Sequence, residues 1–209
     1  MRAPWIIILF VAAAGCFWTD KASHPNTYRG IALQTYGPRG GGFINANGKV
    51  LGYWIYRVHV MNDTTVPVEL AMDFPGGPIA MLPDSEKYPT AFLFPDEITP
   101  DTAQDVLNFG IKGSEAFLST RSSGPTSLRT TVLPGEDHLL YIGVVLAPDG
   151  VGRAELFSDG QKPNASFFPE GSVPTSTKKG NELDLIFGIA IDAPKHYAMV
   201  PCGRITFKK

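Results

Sequence analysis

Two runs of alternating residues constrain this chain more than any other feature: YWIYRVHV over residues 53–60 and VPVELAMDF over residues 66–74. In the first, Trp54, Tyr56, Val58 and Val60 share one phase of a two-residue repeat. In the second, Val66, Val68, Leu70, Met72 and Phe74 do the same. Side chains alternate across a strand, so this pattern marks two strands that each bury one face. Folding the runs back as a hairpin with Val60 opposite Val66 sets Val58 against Val68, Tyr56 against Leu70 and Trp54 against Met72. The same register places Arg57 opposite Glu69 on the outer face as a cross-strand charge pair.

Further strands are expected along the chain. Residues 29–35 form one, and Asn47-Gly48 supplies a tight turn because both residues tolerate positive φ. The intervening Gly37-Pro38-Arg39-Gly40-Gly41-Gly42 reads as a flexible loop. It lacks the Gly-Lys-Ser/Thr opening of a phosphate-binding loop. Pro67 cannot donate to a ladder, which points to an edge position near a strand start. Residues 127–133 and 138–146 follow, the latter apolar in both phases, as in a strand covered on both faces. Short strands near 154–157 and 165–168, then 182–191 and 203–207, complete the set. Low charge (18%) with 22 glycines and 18 prolines fits a strand-and-turn protein rather than a helical one.

About nine or ten strands with one short helix predict an all-β fold, a β-sandwich of immunoglobulin-like architecture, with a barrel or jelly roll as the alternative. Residues 28–209 make a single domain. Residues 75–127 differ from the rest, with repeated prolines and seven acids (Asp84, Glu86, Asp96, Glu97, Asp101, Asp105, Glu115) against three bases (Lys87, Lys112, Arg121). They read as a long decorated insert laid over the sandwich. Within it, Thr99-Pro100-Asp101 opens a helix to about Asn108, with Ala103, Val106 and Leu107 on its apolar face. Long ordered loops on a rigid scaffold are where binding concentrates.

The amino terminus carries a different kind of information. Arg2 is followed by an apolar run over residues 5–14, within the ~7–15 residues of a secretory signal and short of the ~20 needed to span a bilayer. Ala13-Ala14-Gly15-Cys16 resembles the signal of bacterial lipoproteins, although Ala13 stands where that motif usually carries Leu. The resemblance covers only the first tenth of the chain. It implies that residues 1–15 are removed, that Cys16 is acylated, and that residues 16–27 tether the domain to a membrane. Phe17, in the second mature position, favours the outer membrane by the same resemblance. The alternative is ordinary cleavage after Ala12 or Ala14, leaving Cys16 free to pair with Cys202 in an oxidising compartment; the protein is then periplasmic or secreted.

The search for chemistry yields little. There is no Gly-x-Ser-x-Gly elbow, His-Glu-x-x-His helix, Cys-x-x-Cys pair or dinucleotide fingerprint. Ser176-Thr-Lys-Lys179 matches a penicillin-recognising motif in letters alone. His24, His59, His138 and His196 are scattered, and His59 is expected to be exposed beside Arg57. Asp96, Glu97, Asp101 and Asp105 are the candidate metal ligands, for Ca²⁺ if any. Tyr88, Phe92 and Phe94 are candidates for stacking on a sugar, but Phe92 and Phe94 alternate like a buried face. Asn62 and Asn164 begin glycosylation sequons that matter only in a eukaryotic secretory pathway. A net charge of −2 without a basic stripe gives no sign of a nucleic-acid partner.

The expected function is therefore that of an exported, lipid-anchored cell-envelope protein, a non-enzymatic structural or interaction module without a cofactor. Its partners are the membrane and an envelope protein or glycan. A carbohydrate- or Ca²⁺-binding accessory domain is the second reading, and a hydrolase with a site built from dispersed residues the third.

Overall fold

The computed structural model describes residues 26–83, 88–121, 124–146, 152–173 and 180–208. Cys16, the signal and most of the tether lie outside the described residues, as does Ser176-Thr-Lys-Lys179. Ten strands form two antiparallel five-stranded sheets packed face to face. The first sheet joins β1 (Asn26–Tyr28), β2 (Ile31–Ile44), β3 (Val50–Asn62), β7 (Asp137–Leu146) and β5 (Thr90–Leu93), in that order. The second joins β6 (Thr126–Val132), β4 (Val68–Phe74), β10 (His196–Phe207), β9 (Glu182–Ile191) and β8 (Gly152–Ser158). The chain is thus an all-β sandwich, as its alternation predicts.

Between the sheets lies one continuous core. Tyr56, Val58 and Val60 of β3 meet Val68, Leu70, Met72 and Phe74 of β4, with Ile142, Leu185, Phe187 and Ile189 from β7 and β9. Val58, Leu70 and Phe187 are fully buried. Phe187 takes Tyr56 and Phe74 edge-on, with centroids at 6.0 and 5.8 Å.

The expected β3–β4 hairpin does not form. β3 pairs with β2 and β7, while β4 pairs with β6 and β10 in the other sheet. The break between them is a crossing from one layer to the next, fixed by Asn62. Its Nδ2 donates to the carbonyls of Val66 (3.0 Å) and Val132 (2.9 Å), and its Oδ1 accepts from Thr64. Both arrangements bury the same side chains, so alternation alone cannot separate neighbours within a sheet from partners across it. Pro67 accordingly lies outside the ladder, ahead of an internal strand rather than on an edge.

Three further expectations are corrected. The glycine-rich segment 37–42 belongs to β2, which crosses it with a bulge between Tyr36 and Arg39. A side chain at Gly40 would collide with the Tyr53 carbonyl, so glycine serves close strand approach there, not looseness. Residues 165–168 are a turn that seats Phe168 against Phe157. Residues 99–106 are not helical, Leu107–Gly110 is a distorted 3-10 turn, and the α-helix, α1, spans Ser114–Thr120. The Gln104 carbonyl accepts from the guanidinium of Arg57, and the Val106 carbonyl accepts from that of Arg39 as well as from the Phe109 N–H. Val106 and Leu107, left without a surface to cover, are exposed.

Residues 94–121 lie over the outer face of the first sheet. Phe94, Phe109, Ile111 and Leu118 close on Tyr53, Ile55, Phe92 and Tyr141 as a second apolar cluster. Phe117 of α1 packs on Phe94 at 5.5 Å. Gly143 of β7 leaves the room that the Phe92 ring occupies; any β-carbon there would overlap the ring. Among the described residues no helix is long and apolar enough to cross a membrane.

Candidate functional site

The covering segment organises two neighbouring polar regions on either side of β7. The first centres on Arg57. Its side chain is buried beneath residues 104–109, where Nη1 donates to the Gln104 carbonyl at 2.8 Å and pairs with Asp105 Oδ1 at 3.1 Å. The guanidinium also stacks 4.5 Å from the Tyr36 ring and 4.9 Å from that of Phe109, which Arg39 approaches at 4.6 Å. Such contacts lower the cost of burying a cation whose counter-ion is mostly in water. Asn108 and Phe109 both adopt left-handed backbone, at φ 52° and 55°. Asn108 is held there by Nδ2, which donates to the hydroxyls of Tyr53 (3.0 Å) and Ser114 (3.3 Å).

The expected Arg57–Glu69 pair is therefore absent. Arg57 faces the insert, and Glu69 instead pairs with Lys208, whose ammonium holds the Glu69 carboxyl below its usual range. His59 is also not exposed as expected. Its ring is largely buried beside Tyr36 at 5.1 Å, and Nδ1 bonds Asp137 Oδ2 at 2.7 Å. This His–Asp pair is the element a dispersed hydrolase site would need. Its other nitrogen, Nε2, is buried with no hydrogen-bond partner among the described residues, so no serine, threonine or cysteine extends the pair.

The second region is a cleft of about 350 Å³ at the open side of the sandwich. Its floor is residues 138–141 of β7; one wall is Leu93 to Thr99, and the other is residues 126–128 of β6. It exists because β5 is shorter than its neighbour. β5 pairs with residues 142–145 of β7, Phe94 N–H adds a bond to the Tyr141 carbonyl at 2.9 Å, and the chain then leaves at Pro95, which has no N–H to donate. Residues 138–140 are thereby left uncovered on that side. On the facing sheet β6 is an edge strand, since it pairs with β4 alone. Leu93 N–H donates to Thr126 Oγ1 at 2.9 Å and marks where the two sheet edges come together.

His138 and Tyr141 supply the cleft's titratable floor. Burial holds the His138 imidazole below its ordinary value, opposed by Asp96 and Asp137. Burial pushes the Tyr141 phenol up, opposed by Arg57, its register neighbour. The Tyr141 hydroxyl is buried and has no partner among the described residues. Asp96 and Glu97 stand at the lip, and no Lys or Arg lines the cleft.

Of the candidate metal ligands, Asp96 and Glu97 share a 3-10 turn (Asp96–Ile98), Asp101 is exposed, and Asp105 pairs with Arg57. Among the described residues no three of His, Cys, Asp and Glu gather as a metal site would require. Phe92 and Phe94 are buried and Tyr88 is exposed, so the three do not form a stacking platform. Asn62 is fully buried, which places its sequon out of reach of modification. Cys202 is a buried thiol whose Sγ lies 3.6 Å from the Leu185 carbonyl, and burial pushes its pKa up, as suits an inert packing residue.

The sequence reading of 75–127 as an insert missed β5 within it, which is a strand of the first sheet, as well as the cleft and the burial of Arg57. The available signal was Pro95, which stops β5 well short of the length of β7. No protein-family model matches the chain, and a search of curated proteins finds no match.

Proposed function

We infer that this is an exported cell-envelope protein, held at a membrane by a lipid on Cys16, whose sandwich is a non-enzymatic interaction module. The observation that carries the interaction role is the cleft, a concave surface flanked by two sheet edges with unfilled backbone positions. Such edges are recognition surfaces when left uncovered. The order of the first sheet supports the anchored arrangement. β1, where the tether joins, is one edge, and β5 beside the cleft is the other. Four strand spacings of ~4.8 Å separate them by ~19 Å, so the binding side lies away from the attachment.

Intact mass of the protein extracted from membranes tests the anchor. The expected result is a diacylglyceryl increment on Cys16, and release of Cys16→Ala into the soluble fraction. An unmodified amino terminus in wild type overturns the anchored reading. For the module, a photo-crosslinking residue at Ser127 should capture an envelope component that the same residue at Asn26 does not. Equal capture at both overturns the assignment of the cleft.

A further inference from the structure

We propose that the cleft takes an extended, basic peptide strand, which adds to the first sheet beside β7 in line with β5. The inference rests on the cleft being the binding surface and names its partner. The backbone argument comes first. Tyr141 gives its carbonyl to Phe94, so its backbone groups point away from β3. Two residues back, Leu139 directs its N–H and C=O to the same side by the alternation of an antiparallel ladder. No described residue takes either group of Leu139, because β5 has already ended. An incoming strand finds there a donor and an acceptor already spaced for pairing.

Side chains decide what kind of strand fits. Alternate residues of an added strand point between the two sheets, over Leu128 and Leu140, where the cleft is apolar. The other residues point outward past Asp96 and Glu97, with no cation in the lining to compensate these acids. Apolar residues alternating with Lys or Arg match both faces, whereas acidic residues meet like charge.

The test uses the full-length protein in a nonionic detergent and three synthetic octapeptides: alternating lysine and valine, alternating glutamate and valine, and the lysine–valine sequence N-methylated throughout. Fluorescence anisotropy reads affinity, and hydrogen exchange reads the site. The lysine–valine peptide should bind saturably and slow exchange over residues 137–141. Roughly fivefold or greater weakening is expected with the glutamate peptide or with Asp96→Lys, Glu97→Lys protein. The N-methylated peptide, which cannot complete a ladder, should not protect Leu139. Absence of binding by the lysine–valine peptide, protection confined to another strand, or equal binding of the N-methylated form each overturns the proposal. The mass measurement on Cys16 and the Ser127 crosslink are independent of these peptides, so anchor, cleft and strand addition can fail separately.

Discussion

Arg57 and Asp105 form an ion pair across 3.1 Å whose two halves live in different solvents: the arginine side chain is 5% exposed and the aspartate 80%. The asymmetry predicts unequal mutational costs. Removing Asp105 loses an interaction already weakened by water, and Arg57 keeps the Gln104 carbonyl, so Asp105→Ala should cost about 0.5–1 kcal/mol. Arg57→Ala loses the stem packing, two ring contacts and the bond that holds residues 104–109 down. A cost of about 2–4 kcal/mol is expected from urea denaturation.

Phe187 occupies the middle of the sandwich between Tyr56 and Phe74. Phe187→Ala should destabilise by about 3–5 kcal/mol, because the rigid sheets on either side cannot collapse into the space. Phe187→Leu should cost less, and the difference in denaturation midpoints measures the cavity contribution.

Gly143 and Phe92 predict a coupled pair. Gly143→Ala drives a methyl into the Phe92 ring and should cost about 1–3 kcal/mol. In a Phe92→Leu background the penalty should shrink, since the overlapping ring atoms are gone. A double-mutant cycle showing no coupling would mean that the two residues do not share the space.

Two titrating groups, half-buried His138 and buried Glu155, give opposite dependences on pH. Burial lowers the His138 pKa, so the unfolded chain takes up its proton first as pH falls. Stability is complete above the ordinary value of 6.5 and is lost below it, down to the folded value. Burial raises the Glu155 carboxyl, against the Asn164 N–H that favours its charged form. The folded state therefore holds that proton longer, and stability present below 4.5 declines as pH rises through the folded value. Thermal melts across pH should show His138→Gln losing the acid-side fall near pH 6.5. Glu155→Gln should lose the decline on the alkaline side of 4.5.

The inward-facing residues of the strands were legible because burial on one face writes a two-residue repeat. That made β9 readable to its ends, while β7 was legible as a run apolar in both phases, because its outer face is covered as well. Neighbour identity was not legible, since Val58 and Leu70 are equally buried whether side by side or face to face. Outer-face residues were misread for a related reason. Arg57 looks solvent-exposed until residues 104–109 are folded onto it, and His59 until Tyr36 and Asp137 close beside it. The helix was misplaced because Thr99-Pro100-Asp101 is a sound local start, while Arg57, distant in sequence, takes the Gln104 carbonyl that a helix would give to Asn108. The cleft arises from a difference in length between β5 and β7, which no single segment encodes.

The position of β10 shapes how the domain comes together. Its twelve residues lie between β4 and β9, the middle place of the second sheet. Until they arrive, β4 with β6 and β9 with β8 are two separate ribbons, each with a greasy flank lacking its neighbour. β4 must wait through more than a hundred residues for the strand that completes it, a late closure that slows assembly. A chain shortened to residue 195 should be unable to unite those ribbons, however much of the first sheet it can still build.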